Sequence, residues 1–177
     1  MDKAIFDFFG TNKTWDKISD ILLLMMLMGF CYFAFLGVKQ LIERKSLKKV
    51  DKELVWMLPS LCLMLVVYFV FEKLIIIHYR PILVDGVAEP SFPSTHTMAA
   101  MTLGLLMMIA LPKYVKNKNL RITLKIVLPV LVALIAFGRI VSGMHWLTDV
   151  LGGIGFGTLC GLVYFVILKA VKGKTNE

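Results

Sequence analysis

Two histidines and one buried-looking aspartate are the residues in this chain best suited to chemistry. His145 and Asp149 stand four apart, so on a helix they share a face. A carboxylate beside an imidazole selects its tautomer and stabilises the imidazolium, which leaves the other ring nitrogen nucleophilic. Arg139, six residues before His145, offers that carboxylate a second partner. A second group lies in Ser91-Phe92-Pro93-Ser94-Thr95-His96. Ser94 is a good N-cap type, and the first amides of a helix starting there bind an anion with help from the helix dipole. His96 would stand at the same mouth, although an ordinary capped helix with an interfacial histidine fits these residues equally well. A third group is Lys73 and Arg80, seven apart. That is about two helical turns, so they share a face on a helix that Pro81 would end. Taken alone, Lys73 reads better as a snorkelling side chain or a partner for Glu72.

Together these groups offer three cations, two histidines, a capping serine and an aspartate. Cations and helix-start amides bind phosphate. Two histidines allow one nucleophile and one general acid. No run of carboxylates suits magnesium or calcium, so the expectation is chemistry without metal or cofactor. Cys31, Cys62 and Cys160 lie far apart in apolar runs with no CxxC spacing, which argues against zinc or redox roles.

The elements that must position these residues are membrane spans. The chain has 177 residues, is 58% hydrophobic and carries a net charge of +8, with a mean hydropathy of +0.78. Disorder requires low hydrophobicity, and a small soluble core cannot hide so much apolar surface. A bilayer-spanning helix needs about 20 largely apolar residues, and five such stretches occur, near 21–42, 54–78, 94–112, 123–141 and 146–170. Pro59 and Pro129 are expected near the starts of the second and fourth, where proline is tolerated. Residues 1–20, with Ile5, Phe6, Phe8 and Phe9 among charges, suit an interfacial helix or a disordered lead-in. The first span begins too late for a simple secretory signal and is read as retained. The predicted fold is therefore all-α: a polytopic integral membrane bundle of about five transmembrane helices forming one domain over 1–177. Gly153, Gly157 and Gly161 recur every four residues on the last span, a pattern of close helix packing, and Gly152 and Gly155 are expected to loosen the same helix. Trp15, Trp56 and Trp146 fall near span ends, as interfacial anchors do.

The basic charge is distributed by side. The 43–53 loop, the 112–125 loop, the tail and Lys39 hold fourteen basic and four acidic residues, whereas the rest of the chain holds six and eight. The +8 thus divides into +10 and −2. Positive-inside bias puts the first set in the cytoplasm and the N-terminus, the 78–97 loop and the 139–149 segment outside. The charge reports orientation in a plasma membrane and not a nucleic-acid surface. All three chemical groups then lie on the outer face, where ionisable residues at membrane depth tend to be functional. His78 reads as an interfacial or supporting residue, and Asp85 and Glu89 as a solvated loop or a control on headgroup access.

Lys73-x6-Arg80-Pro81, Pro93-Ser94-x-His96 and Arg139-x5-His145-x3-Asp149 resemble, in order, the three signatures of the type-2 phosphatidic acid phosphatase superfamily. The resemblance covers about residue 70 to the end of the fifth span. It implies that His145 attacks phosphorus and forms a phosphohistidine, that Asp149 orients it, and that His96 protonates the leaving oxygen. Lys73, Arg80, Arg139, Ser94, Thr95 and neighbouring amides would hold the phosphoryl oxygens. Thr95 departs from the family's usual Pro-Ser-Gly-His, so either this position is helical or the phosphate loop differs. The implied partner is a membrane lipid phosphate in the bilayer. Undecaprenyl pyrophosphate ranks first on the resemblance, with phosphatidylglycerol phosphate or phosphatidic acid as alternatives, and phosphotransfer to an acceptor other than water as a variant. A non-enzymatic lipid-binding or transport protein would use the same anion pocket but would need no nucleophile.

Overall fold

The computed structural model describes residues 1–84 and 86–173; Asp85 in the outer loop and Lys174 in the basic tail lie outside the described residues. Six helices follow one another: α1 (Asp2–Phe9), α2 (Lys13–Arg44), α3 (Lys52–Leu74), α4 (Thr95–Tyr114), α5 (Lys118–Val141) and α6 (Leu147–Gly173). All but α1 are long and apolar enough to cross a membrane. No named strand occurs among the described residues; two isolated bridges, Tyr79–Pro90 and Val84–Val87, are the extended pairings.

Helix starts follow the sequence. The Asn12 side chain accepts from the Thr14 and Trp15 amides and caps α2, and Asn117 accepts from Leu120 to cap α5. Because α2 begins at Lys13, the expected interfacial segment over 1–20 is divided: α1 ends at Phe9, a short link follows, and residues 13–20 are about the first two turns of the first long helix. Pro129 lies in the middle of α5 instead of near its start, because the helix begins as early as Lys118. There it deprives the helix of one internal hydrogen bond.

The central element is α4. Ala100, Leu103, Leu106, Met107, Ala110 and Leu111 are all buried against α2, α5 and α6. The outer helices face the other way. Leu24, Leu27, Phe35 and Val38 on α2, and Leu162, Phe165 and Val166 on α6, lie on the protein's exterior. An exterior so apolar is stable against hydrocarbon, not water. The expected glycine seam is where α4 meets α6. A Cβ at Gly153 would come 2.7 Å from the Ser94 carbonyl, one at Gly157 would come 2.6 Å from Met101 Cβ, and one at Gly161 would collide with Leu105. Gly152, expected to loosen the helix, instead accommodates the Phe92 ring; Gly155 has nothing within 4 Å.

The two ends of the bundle differ in chemistry. At the basic end, Glu53 is buried and pairs with Lys113 at 2.6 Å and Lys172 at 2.7 Å, tying α3, α4 and α6 together. Asp51 there accepts from Gln40 and Tyr114 and pairs with Arg44 and Lys113. Burial works against its charge, but these bonds outweigh it and hold the carboxyl at about 2. The opposite end holds the first and second chemical groups of the sequence and Arg80.

If the seam sets the distance between α4 and α6, Gly157→Val should destabilise the protein by about 2 kcal/mol, the usual scale of overpacking. Gly155→Val should have no such effect. Melting of the purified protein in detergent checks this; equal melting temperatures for the two variants would contradict it.

Candidate active site

At the second end, a short extended ribbon crosses the helix termini. The sequence spacing predicts a helix running to Pro81, with Lys73 and Arg80 on one face. Instead α3 ends in a π turn over Val70–Leu74, and the chain becomes extended. Three consecutive β-branched residues, Ile75 to Ile77, favour that change. Beyond them the Arg80 amide donates to the Glu89 carbonyl at 3.0 Å and the Ser91 amide to the His78 carbonyl at 3.0 Å. The two cations are therefore separated. Lys73 is largely exposed, 4.0 Å from Glu72, whereas Arg80 is carried by the ribbon to the centre of this end.

The ribbon also delivers Ser91, and Ser91 organises the histidine. His145 lies in the turn between α5 and α6 and is 4% exposed; Asp149, in the first turn of α6, is fully buried. His145 Nδ1 is 3.1 Å from the Ser91 carbonyl, 3.4 Å from Ser91 Oγ and 3.5 Å from Asp149 Oδ2. A carbonyl only accepts, so Nδ1 carries the proton and the lone pair resides on Nε2. The Asp149 carboxylate is itself held by the Ser91 hydroxyl and, at 2.8 Å, by the Trp146 amide. His78 Nε2 approaches its other oxygen at 3.2 Å. Asp149 thus acts on the imidazole largely through Ser91. Burial pushes the His145 imidazole down to about 4; Asp149 opposes this, while Arg139 and Arg80 add to it. His145 is consequently neutral near pH 7, and its buried Nε2 bonds to no group among the described residues.

The turn that carries His145 depends on a glycine. Gly143 has φ 73°, and a Cβ there would meet the Gly10 carbonyl at 2.7 Å. The link after α1 therefore lies directly on this turn. Phe6 stacks near Trp146 with centroids 5.8 Å apart, and Thr148 donates to Asp2 at 2.7 Å.

The start of α4 abuts the start of α6 through a bond of 2.9 Å from the Ser94 amide to the Asp149 carbonyl. Ser94 occupies the N-cap position, but its buried hydroxyl is directed at Thr97 Oγ1, 3.1 Å away, and caps nothing. What this turn offers an anion is its backbone N–H groups. Thr95 is the first helical residue. Its backbone is ordinary right-handed helix, which threonine adopts as readily as glycine. His96 follows, with Nε2 2.9 Å from Asp20.

Arg139 is 2% exposed and bonds Asp16 at 2.7 Å. Arg80 pairs with Glu89 at 3.2 Å. The Nε of each guanidinium is buried without a hydrogen-bond partner among the described residues. The structure thus gathers Arg80, Arg139, His145, Asp149, His96 and the Ser94–Thr95 turn at one end, and leaves Lys73 outside. It adds Ser91, His78, Asp16 and Asp20. The spacing Asp16-x3-Asp20, two acids one turn apart at the head of an apolar run, is the signal in the sequence for the last two.

A family model described as the PAP2 superfamily matches residues 74–172, more than half of the chain. Among solved structures, the chain is similar to a transmembrane PAP2-type phosphatidylglycerolphosphate phosphatase from Bacillus subtilis. Identity is 21%, over 98% of this chain and 85% of that one, with a TM-score of 0.67. It is also similar to LpxE from Aquifex aeolicus, at 23% identity over 84% of this chain and 93% of that one, with a TM-score of 0.43. No curated protein sequence matches it.

Removing the hydroxyl that ties Asp149 to the imidazole tests this arrangement. Ser91→Ala should lower kcat by about tenfold with little change in KM, the scale of losing a supporting hydrogen bond to a reactive group. Unchanged kcat in a steady-state assay would show that the hydroxyl is not needed.

Proposed function

Because the chain belongs to the PAP2 superfamily and is a membrane hydrolase of lipid phosphates, we propose that it acts through a phosphohistidine on His145. The observation that carries this reading is the bonding of that imidazole: Nδ1 satisfied by Ser91, Nε2 buried and unpaired beside two guanidiniums. Nε2 attacks phosphorus while the bond to the lipid oxygen breaks, and His96 gives that oxygen a proton. Water then attacks the phosphohistidine, His96 takes the water's proton, and inorganic phosphate leaves. Arg80, Arg139 and the amides at the start of α4 hold the phosphoryl oxygens, which gain hydrogen bonds where charge is greatest in transit.

The substrate is a lipid whose tail stays in the bilayer while its phosphate enters between the helix ends. The charge at this end bears on which lipid. With Lys73 turned outward, two guanidiniums remain, each already facing a carboxylate. That supply suits one phosphoryl group better than a diphosphate, so the site favours a phosphomonoester such as phosphatidylglycerol phosphate over undecaprenyl pyrophosphate. The uneven loop charge supports placing this end outside the cytoplasm.

Purified protein in detergent, with EDTA present, should release phosphate from phosphatidylglycerol phosphate faster than from undecaprenyl pyrophosphate. In sealed right-side-out vesicles the same activity toward added short-chain substrate should need no permeabilisation. No release from either lipid would end the phosphatase reading, the opposite preference would end the charge argument, and latency would reverse the orientation.

A further inference from the structure

Asp16 and Asp20 lie in neither the residues shared with the family model nor any of the three signatures. Yet both reach into the site from the first turns of α2. Asp16 Oδ1 bonds Arg139 at 2.7 Å. Asp20 Oδ1 bonds His96 Nε2 at 2.9 Å and lies 3.7 Å from the same Arg139 nitrogen. The approach of α2 here is fixed. A Cβ on Gly138 would collide with Ser19 Oγ and sit 3.4 Å from the Trp15 carbonyl. Ser19 is fully buried, and the Asn12 amide reaches the Ser142 carbonyl just before the catalytic turn. The start of α2 is thereby held against the end of α5.

We propose that Asp20 is a positioning residue for the general acid His96, forming a second carboxylate–imidazole pair opposite the Asp149–Ser91–His145 group. This rests on the phosphatase reading above. The carboxylate accepts the proton on His96 Nε2 and so directs the opposite nitrogen, Nδ1, to the departing oxygen. As the bond from phosphorus to the lipid oxygen breaks, its electron pair stays on oxygen and the Nδ1 proton moves there. His96 is left neutral with its Nε2–H on Asp20, ready to take a proton from the incoming water. Asp16 has a separate role, fixing the Arg139 guanidinium that contacts the phosphoryl group.

A simple surface ion pair would make the same contact, since the Asp20 side chain is 55% exposed. The two roles differ in their dependence on the leaving group. A lipid alkoxide needs a proton to depart; nitrophenolate does not. The value of kcat/KM reports only the steps through departure of the leaving group. Asp20→Asn should therefore cut kcat/KM on dioctanoyl phosphatidic acid by about 30-fold, part of the roughly 100- to 10,000-fold that a general acid contributes. On 4-nitrophenyl phosphate, which also serves as the control for folding, the loss should be no more than about threefold, and Asp20→Glu should recover most of the phosphatidic acid activity. Asp16→Asn should lose equally on both substrates, because the phosphoryl group is common to them. Equal losses for Asp20→Asn on the two substrates, or no loss on phosphatidic acid, would overturn the assignment. Wild-type protein that hydrolyses neither compound, or full activity in His145→Ala, would instead overturn the phosphatase reading itself.

Discussion

A carboxylate fully buried among apolar helices is costly unless every side of it is met by a donor or a cation. Asp149 is in that position: Oδ2 is hydrogen-bonded, Oδ1 has the His78 ring at 3.2 Å but no hydrogen bond among the described residues, and the architecture of this end follows from supplying these partners. The Ser91 hydroxyl and the Trp146 amide bond one oxygen, and His78 stands by the other. To bring Ser91 and His78 there, α3 must stop short and the chain must double back as a ribbon over the helix ends. To bring Trp146, α5 and α6 must be joined by a tight turn around Gly143. The same turn presents His145, whose Nδ1 then meets the Ser91 carbonyl. The tautomer of the proposed nucleophile is a by-product of satisfying a buried charge.

The bundle supplies the stiffness this arrangement requires. Glycines on α6 let α4 approach closely enough for the Ser94 amide to bond the Asp149 carbonyl. The same close approach sets the head of α4 against the first turn of α6, which carries Asp149. At the far end, Glu53 and Asp51 bind cations from α2, α4 and α6 and fix the lower halves of the same elements. The packing distance, the head of α4 and the bonding of the His145 imidazole are one coupled geometry.

Much of this is legible in the sequence, and the exceptions have physical causes. Histidine and aspartate are scarce in apolar runs, so His145, Asp149 and His96 are conspicuous, as are the five spans. The glycine repeat on α6 marks its packing face. The helical face for Lys73 and Arg80 is wrong because spacing alone cannot register a π turn followed by a β-branched break; the alternative of Lys73 beside Glu72 is the arrangement found. Asp16 and Asp20 escape a sequence reading because hydropathy begins the first span at Ile21. The helix itself begins at Lys13, where Asn12 caps it, and so carries the two acids into the site. Pro129 is misplaced by the same kind of hydropathy edge and lies mid-helix for the same reason. Ser91 is invisible as a partner because its role depends on a ribbon that only the tertiary structure creates.

On the proposed mechanism, Ser91 and Asp149 leave Nε2 of His145 as the attacking atom. Rapid quenching of the enzyme during turnover of a phosphorus-labelled lipid phosphate, followed by phosphorus NMR of the isolated peptide under alkaline conditions, reads the site of attachment directly. The expected result is an alkali-stable, acid-labile phosphoryl group on Nε2 of His145. Attachment at Nδ1, or at any other residue, would contradict it.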